Sequence, residues 1–189
     1  MPRISTQHKT PPGRVIWITG LSGSGKTTLS KEVVRQLKLR RNDVISLDGD
    51  ELRMTLPFEG TDLETYDPKS RLKFAMHYAN LSMILSKQGF IVVVATISMF
   101  KEVYVWNRAN LPGYFEVYMK VPIEELRRRD SKRLYSRFDN GELQNIAGLD
   151  LPVDIPETPD FEVVIKSNRS LMELAGELIT KSELAKGVT

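Results

Sequence analysis

Nine residues near the start of the chain have the types and spacing of a phosphate-binding site. The segment GLSGSGKTT, Gly20 to Thr28, fits the pattern G-x-x-x-x-G-K-[ST] and directly follows the apolar run VIWIT, which is typical of a buried strand. Its glycines tolerate positive φ, so backbone N–H groups can approach phosphate oxygens. Lys26 can then reach the β- and γ-phosphates, and the Thr27 hydroxyl can hold Mg²⁺. We therefore expect phosphate groups to be held by Gly20, Ser22, Gly23, Ser24, Gly25, Lys26, Thr27 and Thr28.

A second group of chemically capable residues lies in LDGDELR, Leu47 to Arg53. This segment ends a predicted strand and begins a helix, which places its carboxylates at the carboxyl edge of a parallel sheet, beside the phosphate loop. Asp48 and Asp50 are two residues apart, so one can address Mg²⁺ while the other faces the hydroxyl of an acceptor. The alternative is that Asp50 or Glu51 only caps the helix.

A basic segment follows the middle of the chain, and we expect it to form a lid around residues 125–150. Several of its cations can converge on phosphate charge and exclude water from the site. The alternative for any single one is an exposed ion pair, for example with Glu124 or Glu125. The basic residues are Arg127, Arg128, Arg129, Lys132, Arg133 and Arg137.

The elements that must position these residues alternate along the chain between apolar strand patterns and helical patterns. This alternation predicts parallel βαβ units, and hence a three-layer α/β/α sandwich with a parallel five-stranded sheet of the P-loop nucleoside triphosphate hydrolase type. Gly89 stops one predicted helix and Pro122 begins another. The predicted strands are 15–19, 43–50, 90–98, 114–121 and 161–166, and the clearest predicted helices are 69–87, 100–110, 123–133 and 170–184.

Composition excludes several classes of function. The 189 residues contain no cysteine, which excludes disulfides, thiolate catalysis and Cys-ligated zinc, and fits the cytoplasm, where we expect the protein. No apolar run approaches the roughly 20 residues of a membrane span. The polar, Pro-rich residues 1–13 are expected to be a flexible leader, and residues 14–189 a single P-loop domain that carries the basic lid.

Five segments together resemble the adenylylsulfate (APS) kinases in order, spacing and content. They are GLSGSGKTT, LDGDELR, IVVVATIS, YFEVYMKVPIEELRRRDSKRLY and GELQNIAGLDLPVDIPETPD, and they cover nearly the whole chain after Arg14. The phosphate loop is common to many NTPases, whereas the DGD-x-x-R element and the R-D-x-K-x-L-Y run followed by G-x-D-x-P are specific. The resemblance implies ATP and Mg²⁺ as co-substrates, and transfer of the γ-phosphate to a ribose hydroxyl of a small nucleotide.

The motif match also implies roles for single residues. Lys26 would act on the phosphates, Asp50 would be the base, and Asp48 would lie near the metal with Thr27. Arg53 would contact the acceptor nucleotide. The lid over the phosphates would include Arg129 and Lys132, and the acceptor site would draw on Asp48, Arg53, Phe58, Arg71, Phe74, Ser98, Lys101 and Ile146.

The chain departs from the APS kinases in the acceptor region. Phe74 to His77 read FAMH where the family carries N-I-R-R, so two arginines are missing. Ile146 in IAGLD replaces an aromatic residue of F-T-G-I-D, and ISMFK replaces I-S-P-Y-R. A lost stacking face costs about 1 to 3 kcal/mol per base, enough to change substrate choice, unless Phe58, Phe74 or Phe100 restores an aromatic wall.

Two kinase hypotheses follow. One is an APS kinase that makes 3′-phosphoadenylylsulfate, and the other is a related kinase for a different nucleotide, such as the cytidine diphosphoramidate of capsule biosynthesis. A non-catalytic nucleotide-binding switch and a polynucleotide kinase are less well supported, because the chain has neither an N-K-x-D motif nor a long basic track with interleaved aromatics. We therefore expect a small nucleotide partner, no nucleic acid and no membrane, with a homodimer as one possibility.

Overall fold

The computed structural model describes residues 12–55, 68–130, 132–164 and 169–184. Five parallel strands form a sheet with the order β2-β3-β1-β4-β5. The strands are β1 (Arg14–Thr19), β2 (Val44–Asp48), β3 (Ile91–Ala95), β4 (Phe115–Lys120) and β5 (Phe161–Val164). The helices are α1 (Lys26–Lys38), α2 (Gly49–Thr55), α3 (Pro68–Lys87), α4 (Lys101–Asn110), α5 (Ile123–Arg129), α6 (Leu134–Asp139) and α7 (Leu171–Leu184).

The central strand β1 is buried along its whole length, and its side chains alternate between two cores. Ile16 and Ile18 pack with apolar residues of α1 and α7 on one face of the sheet. Val15 and Trp17 pack with residues of α3 and α4 on the other face. Because both faces are covered, the strand is apolar at every position from Val15 to Ile18. The predicted three-layer sandwich with a parallel five-stranded sheet is confirmed.

The strand order sets the position of the site. Central β1 lies between β3 and β4, with Ile18 in register with Ala95 and Val117. Ligands in such sheets bind outside the carboxyl ends of the strands. The phosphate loop after β1, the acidic segment after β2 and the segment after β3 therefore meet at one edge.

The basic segment differs from the single predicted helix over 123–133. The helix α5 ends at Arg129, and Asp130 and Arg133 take positive φ values of 34° and 52°. The Asp130 carboxylate accepts hydrogen bonds from the backbone N–H groups of Tyr135 at 2.9 Å and Ser136 at 3.1 Å, so it caps the new helix α6. The prediction of one continuous helix was wrong because this side chain stabilises a second helix start.

A buried arginine joins β1 to α7 at the edge of the sheet opposite the site. Arg14, at the start of β1, is 3% exposed, and its guanidinium donates to the carbonyl oxygen of Ser182 in α7 at 2.5 Å. It also donates to the hydroxyl of Ser182 at 3.3 Å. Residues 1–11 of the predicted leader lie outside the described residues. Within the described ranges, every helix is too short or too polar to span a lipid bilayer.

Candidate active site

The phosphate loop folds around three glycines with positive φ. These are Gly20 (148°), Gly23 (76°) and Gly25 (94°), conformations that other residues rarely adopt. A Cβ on Gly20 would lie 2.9 Å from the carbonyl oxygen of Met119, so the loop can be this close to β4 only with glycine. Ser24 is buried, and its hydroxyl has no hydrogen-bond partner among the described residues. A buried polar atom without a partner fits a loop that is built to hold a polar ligand.

Lys26, the first residue of α1, is held inside the loop by the loop itself. Its ammonium donates a 2.8 Å hydrogen bond to the carbonyl oxygen of Leu21. Burial, and next the positive charge of Lys132, lower the pKa of Lys26 to about 7. A half-buried ammonium beside a second cation is suited to an incoming anion, and phosphate oxygens would supply the opposite charge.

Thr27 and Asp48 lie side by side at the ends of two elements. The Thr27 hydroxyl donates to Asp48 Oδ2 at 2.8 Å, and Asp48 Oδ1 accepts the backbone N–H of Asp50 at 2.9 Å. Asp48 therefore caps α2, the role that the sequence alternative had assigned to Asp50 or Glu51. The carboxylate of Asp50 is left for other contacts.

Asp50 faces the cations of the lid. Lys132 Nζ donates to Asp50 Oδ2 at 2.6 Å, and Arg53 pairs with the same carboxylate from the next turn of α2. The lid is thus closed over the acidic segment. Tyr135 of α6 reinforces this closure, since its hydroxyl donates to the carbonyl oxygen of Ser22 in the phosphate loop at 2.9 Å.

A cleft of about 1150 Å³ runs between the phosphate loop, the acidic segment and the lid. It opens into a narrower pocket, and the walls of both include Arg53, Arg71 and Thr96. A donor nucleotide and an acceptor can therefore occupy neighbouring spaces. The predicted residues that line the cleft are Ser22, Gly23, Gly25, Lys26, Thr27, Thr28, Asp48, Asp50, Arg53, Arg71, Arg129, Lys132 and Ile146.

One face of α3 forms a wall of the narrower pocket. Arg71, Phe74 and Tyr78 lie three and four residues apart on this face, and all three line the pocket. Phe74 is 5% exposed, and its ring lies 6.4 Å from that of Tyr78. Neither Met76 nor His77 lines either cavity. The two positions where the family carries arginines, Met76 and His77, therefore lie outside both cavities in this protein. Phe74, in contrast, changes the lining of the pocket itself.

The segment after β3 forms the opposite wall. Ser98 has a φ of 24°, unusual for serine, and lines the pocket. Its hydroxyl lies 2.8 Å from that of Thr96, and both side chains are buried. Phe100 lines the same pocket and so offers a second aromatic wall. Two hydroxyls beside aromatic rings can orient a polar group in an otherwise apolar space.

The acceptor loop, residues 145–151, closes the pocket. The Asp150 carboxylate accepts the backbone N–H groups of Asn145 at 2.7 Å and Ile146 at 2.5 Å. Arg71 donates to the carbonyl oxygen of Asn145 at 2.9 Å. The loop is therefore held by its own aspartate and fastened to α3, which places Ile146 on the cleft and Leu151 on the pocket.

Some predicted residues lie elsewhere. The side chain of Lys101 is 72% exposed at the start of α4, 3.7 Å from Glu157, and lines neither cavity, so the structure places it away from the other residues predicted for the acceptor site. Phe58 lies outside the described residues. Gly20 and Ser24 belong to the folded loop but do not line the cleft.

Some arginines of the lid form ion pairs with nearby carboxylates, which was the alternative to a role in phosphate binding. Arg128 and Arg129 both bond to Glu125 and lower the pKa of that carboxyl to about 2. Arg127 pairs with Asp139 instead. Of these three arginines, Arg129 lines the cleft.

Sequence reasoning missed several residues of the site, among them Tyr78 on the α3 wall. Thr96 contributes a buried hydroxyl, Tyr135 ties the lid to the phosphate loop, and Asn145 presents its carbonyl to Arg71. The L-Y of the lid motif was a signal for Tyr135. No local signal marks Asn145, because its role is a backbone contact across 74 residues.

Comparisons with known proteins agree with this geometry. The profile of the adenylylsulphate kinase family matches residues 12–164. The chain belongs to this family. A solved APS kinase from Mycobacterium tuberculosis, in complex with AMPPNP and APS, superimposes with a TM-score of 0.80 at 31% identity and covers 92% of this chain and 99% of that one. The resemblance, the kinase activity and the P-loop fold inferred from sequence are confirmed.

Relatives of more than one acceptor specificity belong to the same group. A cytidine diphosphoramidate kinase from Campylobacter jejuni is 42% identical over 167 residues, 88% of this chain and 94% of that protein. An adenylyl-sulfate kinase from a Picosynechococcus species is 34% identical over 150 residues, 79% of this chain and 82% of that protein. The chain is therefore an ATP-dependent phosphotransferase that acts on a small nucleotide.

Proposed function

We propose that this kinase transfers the γ-phosphate of ATP to a ribose hydroxyl of cytidine diphosphoramidate or a closely similar cytidine diphosphate derivative. The observation that carries the proposal is Phe74, which replaces a polar family residue on the pocket-lining face of α3. Ile146, which replaces an aromatic residue at the cleft, supports it. The 42% identity to a cytidine diphosphoramidate kinase supports it further.

The donor side of the proposed mechanism uses the phosphate loop. Its backbone N–H groups and Lys26 would hold the phosphates, and Lys26 would leave the Leu21 carbonyl to do so. Thr27 Oγ1 and Asp48, whose oxygens are 2.8 Å apart, would hold Mg²⁺, which needs few protein oxygens when phosphates and water complete its shell. Bound there, Mg²⁺ would neutralise charge that develops on the phosphates.

The acceptor side uses Asp50. Its carboxylate is not needed for capping α2, so it can orient the acceptor hydroxyl and take its proton as the new P–O bond forms and the bond to the leaving ADP breaks. Lys132 now occupies Asp50 Oδ2 and would move to the phosphates when substrates bind. Together with Arg129, it would help exclude water from the closed cleft.

A second candidate acceptor is APS. It is favoured by the family profile over residues 12–164 and by the structural match to an APS kinase in complex with APS. Arg53 and Arg71 at the junction of the two cavities suit the paired anionic groups of either acceptor. The choice between the two therefore rests on the departures at Phe74 and Ile146.

The test is a coupled ADP-release assay with both acceptors. We expect wild-type kcat/KM to be at least tenfold higher for cytidine diphosphoramidate than for APS, since altered contacts of this kind are worth a few kcal/mol. Phe74→Asn with Ile146→Phe should raise kcat/KM for APS. His77→Arg is the matched control, because it restores a family arginine at an exposed position that lines neither cavity. Equal or better wild-type turnover of APS would favour the second candidate.

We further propose that the reaction takes place in the cytoplasm, which the absence of cysteine supports. The homodimer stays a prediction that sedimentation velocity would test.

A further inference from the structure

The phosphate loop carries a single large apolar side chain, that of Leu21. Its backbone belongs to the donor site, since its carbonyl oxygen accepts Lys26 Nζ at 2.8 Å and the Ser24 N–H at 3.2 Å. Its side chain is half-buried, does not line the cleft, and packs against apolar residues. An apolar side chain gives a phosphate nothing to bind, so its role must come from what it packs against.

Within the described part of the chain, Leu21 packs against two separate apolar clusters. The first joins Met99, Tyr104 and Tyr118, with Ile97 and Val153 at its margin, and three of its members line the acceptor pocket. The second lies under the lid and consists of Val121, Leu126 and Tyr135 with Ile123, Leu134 and Leu149. Leu21 is thus in contact with both the acceptor wall and the base of the lid.

Gly148 in the acceptor loop leaves space for the Leu21 side chain. Gly148 has a φ of 82°, and a Cβ there would lie 2.6 Å from Leu21 Cδ2 and 3.0 Å from Cδ1. The missing side chain therefore lets Leu21 rest on the backbone of the loop. Gly148 donates its N–H to the carbonyl oxygen of Leu151 at 2.8 Å, so a shift at Gly148 is passed to neighbours that line the cavities.

We propose that Leu21 is a positioning residue that couples the donor site to the acceptor loop through Gly148. When a donor nucleotide binds, Lys26 exchanges its hydrogen bond to the Leu21 carbonyl for one to a phosphate, and the backbone of the phosphate loop closes around the ligand. The Leu21 side chain then sets the position of the acceptor loop, whose backbone is held by hydrogen bonds to the Asp150 carboxylate. Affinities at the two sites are therefore linked in both directions. This inference rests on the kinase activity alone, whichever nucleotide is the acceptor.

The test measures acceptor Kd with and without saturating AMPPNP, by calorimetry, on cytidine diphosphoramidate or APS, whichever gives the higher wild-type kcat/KM. We expect AMPPNP to tighten acceptor binding about tenfold in the wild type. Gly148→Ala should reduce that factor to about twofold or less, because the new methyl group displaces Leu21. Gly141→Ala is the matched control: its φ is 76° and nothing lies within 4 Å of its Cβ position, so it carries the backbone strain without the overlap.

A double variant separates direct contact from general damage. Leu21→Ala alone should weaken the coupling, and Leu21→Ala with Gly148→Ala should recover part of it, because the new methyl group enters the vacated space. Leu21→Met, which keeps the volume, should retain most of the coupling, and the smaller truncation Leu21→Val takes the place of Leu21→Ala in the series if that variant does not fold.

Three results would overturn the inference. They are an acceptor Kd that AMPPNP leaves unchanged in the wild type, an equal loss of coupling in Gly141→Ala, and effects of Leu21→Ala and Gly148→Ala that simply add. An error in the proposed acceptor would appear instead as a reversed ranking of kcat/KM. It would leave the coupling measurement intact, since that measurement uses the better acceptor.

Discussion

At the scale of the residue, Lys26 makes donor binding dependent on pH. Its pKa is about 7 in the free protein because of burial and the charge of Lys132, and bound phosphates would raise that pKa. Between pH 7 and the raised value, binding must take up a proton, so affinity falls by up to tenfold per unit as pH rises. Below pH 7 the ammonium is already charged and affinity should level off.

This prediction is checked by titrating AMPPNP at pH 8 in two buffers with different enthalpies of ionisation. Proton uptake makes the apparent enthalpy depend on the buffer, and Lys26→Met should abolish that dependence. Equal enthalpies for the wild type in both buffers would mean that the ammonium is charged before the nucleotide arrives.

A substitution at Asp50 should affect catalysis without affecting stability, although the sequence alone left open that Asp50 caps a helix. Because Asp48 caps α2, Asp50→Asn should leave the melting temperature nearly unchanged. If Asp50 orients the acceptor hydroxyl, kcat should fall by roughly 10² to 10⁴ with little change in the KM for ATP. Glu51→Gln, an exposed neighbour in the same helix, is the control. A kcat within a few-fold of wild type would remove Asp50 from the chemistry.

At the scale of the element, the second helix of the lid, α6, begins at a cap that the Asp130 side chain provides. Asp130→Ala removes the acceptor of two backbone N–H groups at the start of α6. Hydrogen exchange at residues 134–139 should then speed up by roughly fivefold or more, while exchange in β1 stays unchanged. Asp139→Ala, at the other end of the same helix, should have a smaller effect because its carboxylate pairs with the half-buried Arg127 side chain and lies far from the helix start. Unchanged exchange in α6 would show that the cap contributes little.

The same elements show what sequence could and could not predict. The phosphate loop was predictable because its glycines, Lys26 and Thr27 act through local geometry and follow a buried strand. The break at Asp130 was not, since it depends on a side chain that reaches forward to Tyr135. The pocket-lining face of α3 was predictable only in part, since the family resemblance implied Arg71 and Phe74 but not Tyr78. Whether Phe74 or Met76 points inward is set by packing against the sheet, and α3 has apolar residues on several sides.

At the scale of the whole molecule, the cleft links nucleotide binding to global stability. A ligand at about 100 times its Kd adds roughly 2.7 kcal/mol, which for a chain of this size corresponds to a rise of roughly 5 to 10 °C in Tm. AMPPNP should produce this rise in the wild type, and Lys26→Ala should lose most of it while its unliganded Tm stays at or above that of the wild type. A wild-type Tm that is insensitive to AMPPNP would contradict the assignment of the donor site.

The bond from Arg14 to Ser182 has a consequence for protein engineering. It joins the first described strand to the last described helix on the side of the sheet away from the cleft, so residues 14 and 182 are neighbours in space. A short linker between these two points should permit circular permutation, since neighbouring chain ends and exposed loops are the setting in which permutation is tolerated. A permuted enzyme with new ends in an exposed turn would then accept a fluorescent reporter close to the lid.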